Sequence, residues 1–181
     1  EWEQFFKSSK LSTEQIILLL DYVSVLERNG FPAIFELEHL SKLIGVEFNF
    51  LVKASMDSSK FYRSFSMAKR RGGYRKIHAP FPALSYCQKW ILTNILERID
   101  VGSHAYAFRN DRSIIDNALL HKEGTELLKL DISNFFGSIS FKRVLSVFKK
   151  CGYSNSVSFH LASFCCVDGA LPQGACTSPA I

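Results

Sequence analysis

Between residues 127 and 140 the chain reads LLKLDISNFFGSIS. Asp131 closes an apolar run, and Phe135 and Phe136 follow four and five positions later. Two chemistries are open to an acid so placed. It can finish a strand and cap the turn that follows, or it can hold a divalent cation in a cleft shaped by a neighbouring ring. Residues suited to a turn come only later, at Asn134 and Gly137, and paired phenylalanines are poor choices for an exposed turn. The cation reading gains from both points.

A second constellation lies upstream. Residues 60–80 contain Lys60, Arg63, Lys69, Arg70, Arg71, Arg75 and Lys76 with no acid at all. Such a block is a local site for a polyanion or, more plainly, a charged edge that resists aggregation. Arginine dominates at its centre, and arginine grips phosphate through two parallel hydrogen bonds. Phe61, Tyr62, Phe65 and Tyr74 interleave with the cations and offer faces for stacking. Downstream, LPQGACTSP (171–179) centres on Gln173, whose amide both donates and accepts. By itself that loop is no more than a connection.

The elements that must hold these residues follow from periodicity. Residues 12–29 fit an amphipathic helix with a Ser12–Gln15 capping box and a stripe of Ile16, Leu19, Leu20, Val23 and Leu26. Two shorter helical patterns follow, joined at Gly45. Alternation on either side of RRGG makes 60–80 a β-hairpin. Helices are expected over 82–98, near 113–122, over 140–150 and over 155–166. Residues 126–132 read as a short strand, with Leu128, Leu130 and Ile132 on one face and Lys129 and Asp131 on the other. Ser178–Pro179 has the form of a helix start.

The 181 residues, 47% apolar, suffice for a real core. No apolar run is long enough to span a membrane, and EWEQFFKSSK lacks the order of a secretory leader. Five cysteines without a C-x-x-C spacing read as reduced, mostly buried thiols of a cytoplasmic protein. The net charge of +5 is uneven: residues 1–59 carry five basic against nine acidic residues, and the basic excess concentrates in 60–80.

Taken together and in this order, FYRSFSMAKRRGGYRKIHAP, LSYCQKWILTNIL, HAYAFRNDRSIIDNALLH, LKLDISNFFGSI and LPQGACTSP resemble the reverse transcriptases. The closest likeness is to the bacterial retron and group II intron branch, with its anti-phage defence enzymes. The resemblance runs from residue 60 to the end, whereas the N-terminal helices are only loosely similar to a retron-type leader. It implies an α+β, right-hand polymerase fold, with 60–181 as fingers and the first part of the palm and 1–59 as a helical N-terminal extension.

It also implies roles. Asp131 would be the first metal-binding carboxylate, joined by the main-chain oxygen of Ile132, at a site for two Mg²⁺ ions. Phe136 would be the ring that excludes a ribose 2′-hydroxyl. Arg75 and Lys69 would hold the triphosphate of a dNTP, and Gln173 would lie beside its sugar. Arg70 and Arg71 would neighbour the template or triphosphate. The implied partners are an RNA template, such as a structured noncoding RNA, and the nascent DNA, with a second subunit or an effector protein also possible, in a bacterial cytoplasm. Cys176 and Gly137 stand where many relatives carry proline. The family's Tyr-x-Asp-Asp sequence is absent from these residues, so the segment is expected to be the front part of a longer enzyme. The alternatives are an RNA-binding protein that keeps this front half without catalysis, and a template-independent or protein-primed nucleotidyltransferase.

Overall fold

The N-terminal helices form where local signals and apolar spacing agree. The computed structural model describes residues 2–7, 11–70, 72–109 and 111–181. A first short helix, α1 (Trp2–Lys7), precedes α2 (Thr13–Arg28). Gln15 N–H donates to Ser12 Oγ at 3.2 Å and Ser12 N–H donates to Gln15 Oε1 at 2.9 Å, which closes the expected capping box. Val23 and Leu26 are buried, and Ile16, Leu19 and Leu20 pack against the same core. Helices α3 (Leu37–Ile44) and α4 (Phe48–Met56) follow.

Strands β1 (Tyr62–Ala68) and β2 (Tyr74–Pro80) pair antiparallel, with Tyr62 opposite Pro80 and Ala68 opposite Tyr74. Helix α5 (Pro82–Asn94) begins on a proline, which suits a first helical turn. It ends short of the expected residue 98, and a 3-10 turn covers Leu96–Arg98. Helix α6 (Ile114–Leu119) carries a Ser113–Asp116 capping box. Next come α7 (Phe135–Ser138), α8 (Phe141–Lys150) and α9 (Asn155–Cys165).

One continuous core joins the N-terminal helices to α5, α8 and α9. Leu26, Ile34, Leu40, Leu51, Leu84, Ile91, Val144, Phe148, Leu161 and Phe164 are all fully enclosed. Burial of each such side chain is worth about 1.5–3 kcal/mol. Polar ties stitch the same surfaces: Tyr153 Oη donates to Pro32 O at 3.1 Å, Ser58 Oγ donates to Cys166 O at 2.6 Å, and Ser55 Oγ meets His160 Nδ1 at 2.6 Å. Gln88, wholly buried, donates through Nε2 to Tyr62 Oη at 2.6 Å and to Phe164 O at 2.7 Å. This fixes the base of β1 to α5 and α9, so the hairpin leaves the core from a rigid foot. All five cysteines are free thiols, four of them buried. Burial pushes Cys87 and Cys166 up to about 12 and Cys151 up to about 11, which leaves them as inert packing groups.

One expectation fails. Residues 126–132 form no strand: Leu128 and Leu130 are each 82% exposed and Ile132 is 66% exposed. The alternating pattern is present, but a strand needs a neighbour to take its backbone hydrogen bonds, and the hairpin is the one sheet among the described residues. At Ser178 the hydroxyl donates to Pro172 O at 2.6 Å, closing the 171–178 loop on itself, and a 3-10 turn, Ser178–Ala180, begins there. No helix among the described residues is long and apolar enough to cross a membrane.

Candidate active site

The turn of the hairpin presents its cations without masking them. Lys69 N–H donates to Gly73 O at 2.9 Å, and Gly72 N–H donates to Lys69 O at 3.1 Å. Gly72 and Gly73 have φ of +89° and +79°, a conformation that side-chain-bearing residues rarely adopt. Lys69 and Arg70 therefore sit at the tip, with Arg75 and Lys76 on the returning strand. None of the ion pairs between described residues involves these four.

Facing them is the segment around α7. Asn134 takes left-handed backbone angles (φ 51°, ψ 41°) and turns the chain into that helix. Its side chain lies over Gly137, where a Cβ would come within 2.6 Å of Asn134 Oδ1. Ser138 Oγ donates to Phe135 O at 2.7 Å. The rings of Phe135 and Phe136 meet edge to face, 5.4 Å apart. They divide the work: Phe135 is exposed, while Phe136 is half-buried and packs against the core. That packing braces the Phe136 ring at the wall of the cleft. Asp131 and Ile132 are exposed on the approach to this turn.

The floor is the 171–174 loop, clamped to the hairpin. His78 N–H donates to Gln173 O at 2.9 Å. Gly174 has φ +124°, and a Cβ there would lie 2.9 Å from His78 O and 3.0 Å from Ile77 Cγ2, so only glycine permits this approach. His78 Nδ1 also meets Ser64 Oγ at 2.9 Å. Burial, helped by the positive charge of Lys76 and opposed by Asp168, holds the His78 imidazole below its ordinary pKa. Leu171 N–H donates to Ile139 O at 3.0 Å, tying the floor to the end of α7.

These walls enclose a cleft of about 1120 Å³. Lys69, Arg70, Arg75, Asp131, Ile132, Phe136 and Gln173 all line it. Arg71 lies outside the described residues. Lys76, His78 and Asn134, to which the sequence reading assigned no role at the site, are among the other residues that line it. Lys76 was visible as part of the basic block. His78 was not, because its contact with Gln173 joins positions 95 residues apart.

The donors at the acid end are few. Asp131 supplies a carboxylate and Ile132 a main-chain oxygen, both hard ligands of the type Mg²⁺ takes. Among the described residues no group of three His, Cys, Asp or Glu is placed to hold a metal ion. These two donors alone are too few to hold a metal ion, so the remaining ligands would have to come from a bound nucleotide and from further carboxylates.

Comparison with known proteins gives a consistent result. The chain is 32% identical to the Retron Mx162 reverse transcriptase of Myxococcus xanthus over 176 residues, covering 84% of the chain and 36% of that protein. It is 30% identical to the Retron Ec86 reverse transcriptase of Escherichia coli, covering 83% of the chain and 48% of that protein. For the Retron Se72 reverse transcriptase of Salmonella heidelberg the values are 34% identity, 83% and 40%. The chain thus spans less than half the length of these relatives. No protein-family model matches it.

Proposed function

We propose that this chain, which belongs with the retron-type bacterial reverse transcriptases and matches their N-terminal part, forms the nucleotide-binding portion of an RNA-directed DNA polymerase. The observation that carries this reading is a convergence: an unmasked cationic hairpin tip, Asp131, the Phe136 ring and Gln173 all line one cleft. On this account residues 60–181 are fingers and the first part of the palm of a right-hand polymerase, and residues 1–59 are a helical extension.

Each group then has a physical task. Arg75 and Lys69 neutralise the triphosphate of an incoming dNTP and align it, which is most of what phosphoryl transfer asks of a protein. Asp131 and the main-chain oxygen of Ile132 would hold magnesium, which when bound would supply activation of the primer 3′-hydroxyl and charge stabilisation of the leaving pyrophosphate. The further carboxylates that two ions need come from outside these residues. Phe136, braced by the core, closes the space beside the sugar C2′ so that a 2′-hydroxyl clashes. Gln173 lies beside the sugar, its main chain fixed by the hydrogen bond its carbonyl accepts from His78 N–H. Arg70 and Arg71 would neighbour the template or the triphosphate; the template is an RNA such as a structured noncoding RNA, and the enzyme serves anti-phage defence.

The test is Asp131→Asn in the full-length protein. Incorporation of dNTPs on an RNA template should fall by ~10³-fold or more, the scale for loss of a catalytic group, with RNA affinity unchanged. Persisting incorporation defeats the assignment.

A further inference from the structure

Helix α8 carries a charge pattern that the cleft does not use. Its sequence is FKRVLSVFKK. Val144 and Phe148 are buried, and Phe141, Leu145 and Val147 are half-buried. The remaining surface holds Lys142, Arg143, Lys149 and Lys150, all exposed. At about 100° per residue these positions fall within an arc of roughly 120°, so one face bears four cations. None of them takes part in an ion pair between described residues. The helix packed behind, α9, contains no acid, and Asp168 is the one acid in residues 132–181. Asp168 sits beside Gly169, whose carbonyl accepts from Phe141 N–H at 2.8 Å, at the starting end of α8.

The stripe has a direction. Its start adjoins the cleft through Ile139 O, which accepts from Leu171 N–H. Its far end leads to Tyr153, whose hydroxyl donates to Pro32 O at 3.1 Å in the N-terminal region. Lys142 to Lys149 covers about 10 Å at 1.5 Å per residue, roughly three steps of a nucleic-acid strand rising 3.4 Å each. A solubilising surface needs no such concentration, since mixed signs serve that end.

We propose that this face of α8 is a phosphate-binding track that holds an RNA backbone on its way to or from the cleft, independently of base sequence. The identity of the polyanion rests on the polymerase reading; the track itself rests on the charge geometry.

The experiment measures binding of the full-length protein to a labelled 20-nucleotide oligouridine between 50 and 200 mM salt, without dNTP or divalent metal. Polymerase failure therefore cannot masquerade as failure of the track. Lys142→Gln/Arg143→Gln/Lys149→Gln/Lys150→Gln should lower the slope of log affinity against log salt by about 3, the single-strand value for four phosphates. Its affinity should consequently change ~50-fold less than wild type across that range. Each of the pairs Lys142→Gln/Arg143→Gln and Lys149→Gln/Lys150→Gln should remove about half of the effect, and Lys142→Arg/Lys149→Arg/Lys150→Arg none. An unchanged slope in a folded Gln variant, or an equal loss in the Arg variant, overturns the proposal. So does charge-dependent binding to vesicles containing phosphatidylserine with RNA binding untouched, which would make the face a membrane contact.

Discussion

Helix α9 and the segment 114–132 are both rich in apolar residues, and they treat them in opposite ways. In α9, Val157, Leu161, Phe164 and Cys165 are enclosed. In the other segment Ile114 is 89% exposed, and Leu128 and Leu130 are each 82% exposed. The difference is in the company, since α9 lies against α4, α5 and α8. The LLKLDI run has no strand beside it among the described residues. Apolar spacing proposes an element, and neighbours decide whether it forms. Asp131, the residue with the most chemistry, belongs to the less supported of the two regions.

The comparison is broken most sharply by truncation on each side of it. In residues 1–181, Phe164→Ala should destabilise by about 3–5 kcal/mol, whereas Leu130→Ala should stay within about 0.5 kcal/mol. Denaturant melts of the two variants read this directly, and equal losses would refute the contrast. A smaller effect is expected at the seam between core and cleft. Gly174→Ala puts a Cβ 2.9 Å from His78 O at a φ of +124°, a strain of about 1–3 kcal/mol. KM for dNTP should rise about tenfold as the floor shifts under Gln173, alongside a stability loss of about 1–3 kcal/mol. In Phe136→Ala the edge that excludes a 2′-hydroxyl is lost, so discrimination against ribonucleotides should drop by ~10-fold or more. An unchanged dNTP/rNTP preference would remove the ring from that role.

The smallest effect is a pH dependence. Burial holds His39, His78 and His160 below the ordinary imidazole pKa. The unfolded chain therefore takes up more protons as the medium acidifies. The stability these groups contribute is whole above about pH 6.5 and is lost as pH falls below it. Melting temperature should decline from pH 7 to pH 5, and a rise over that interval would contradict the sign.

What could be read from sequence divides along the same seam. The capping box at Ser12, the hairpin about RRGG and the apolar faces of α8 and α9 are local signals, and they were legible because local spacing specifies them. The seven described site residues were nameable from their motifs, but their meeting in one cleft depends on contacts such as His78 with Gln173, which no local pattern encodes. The strand at 126–132 was misread because period-two alternation states a preference and says nothing of a partner. The basic face of α8 is hidden in the overall charge of the C-terminal half, because residues 97–131 carry seven acids against five bases and offset half of it.

The central claim is that the Asp131 carboxylate holds a metal ion against a bound nucleotide. Crystals of the full-length protein soaked with manganese and a dNTP test it through anomalous scattering. The account predicts a peak within about 2.5 Å of an Asp131 oxygen, bridged to the triphosphate. Peaks lying only on other groups, with Asp131 turned to solvent, would contradict it.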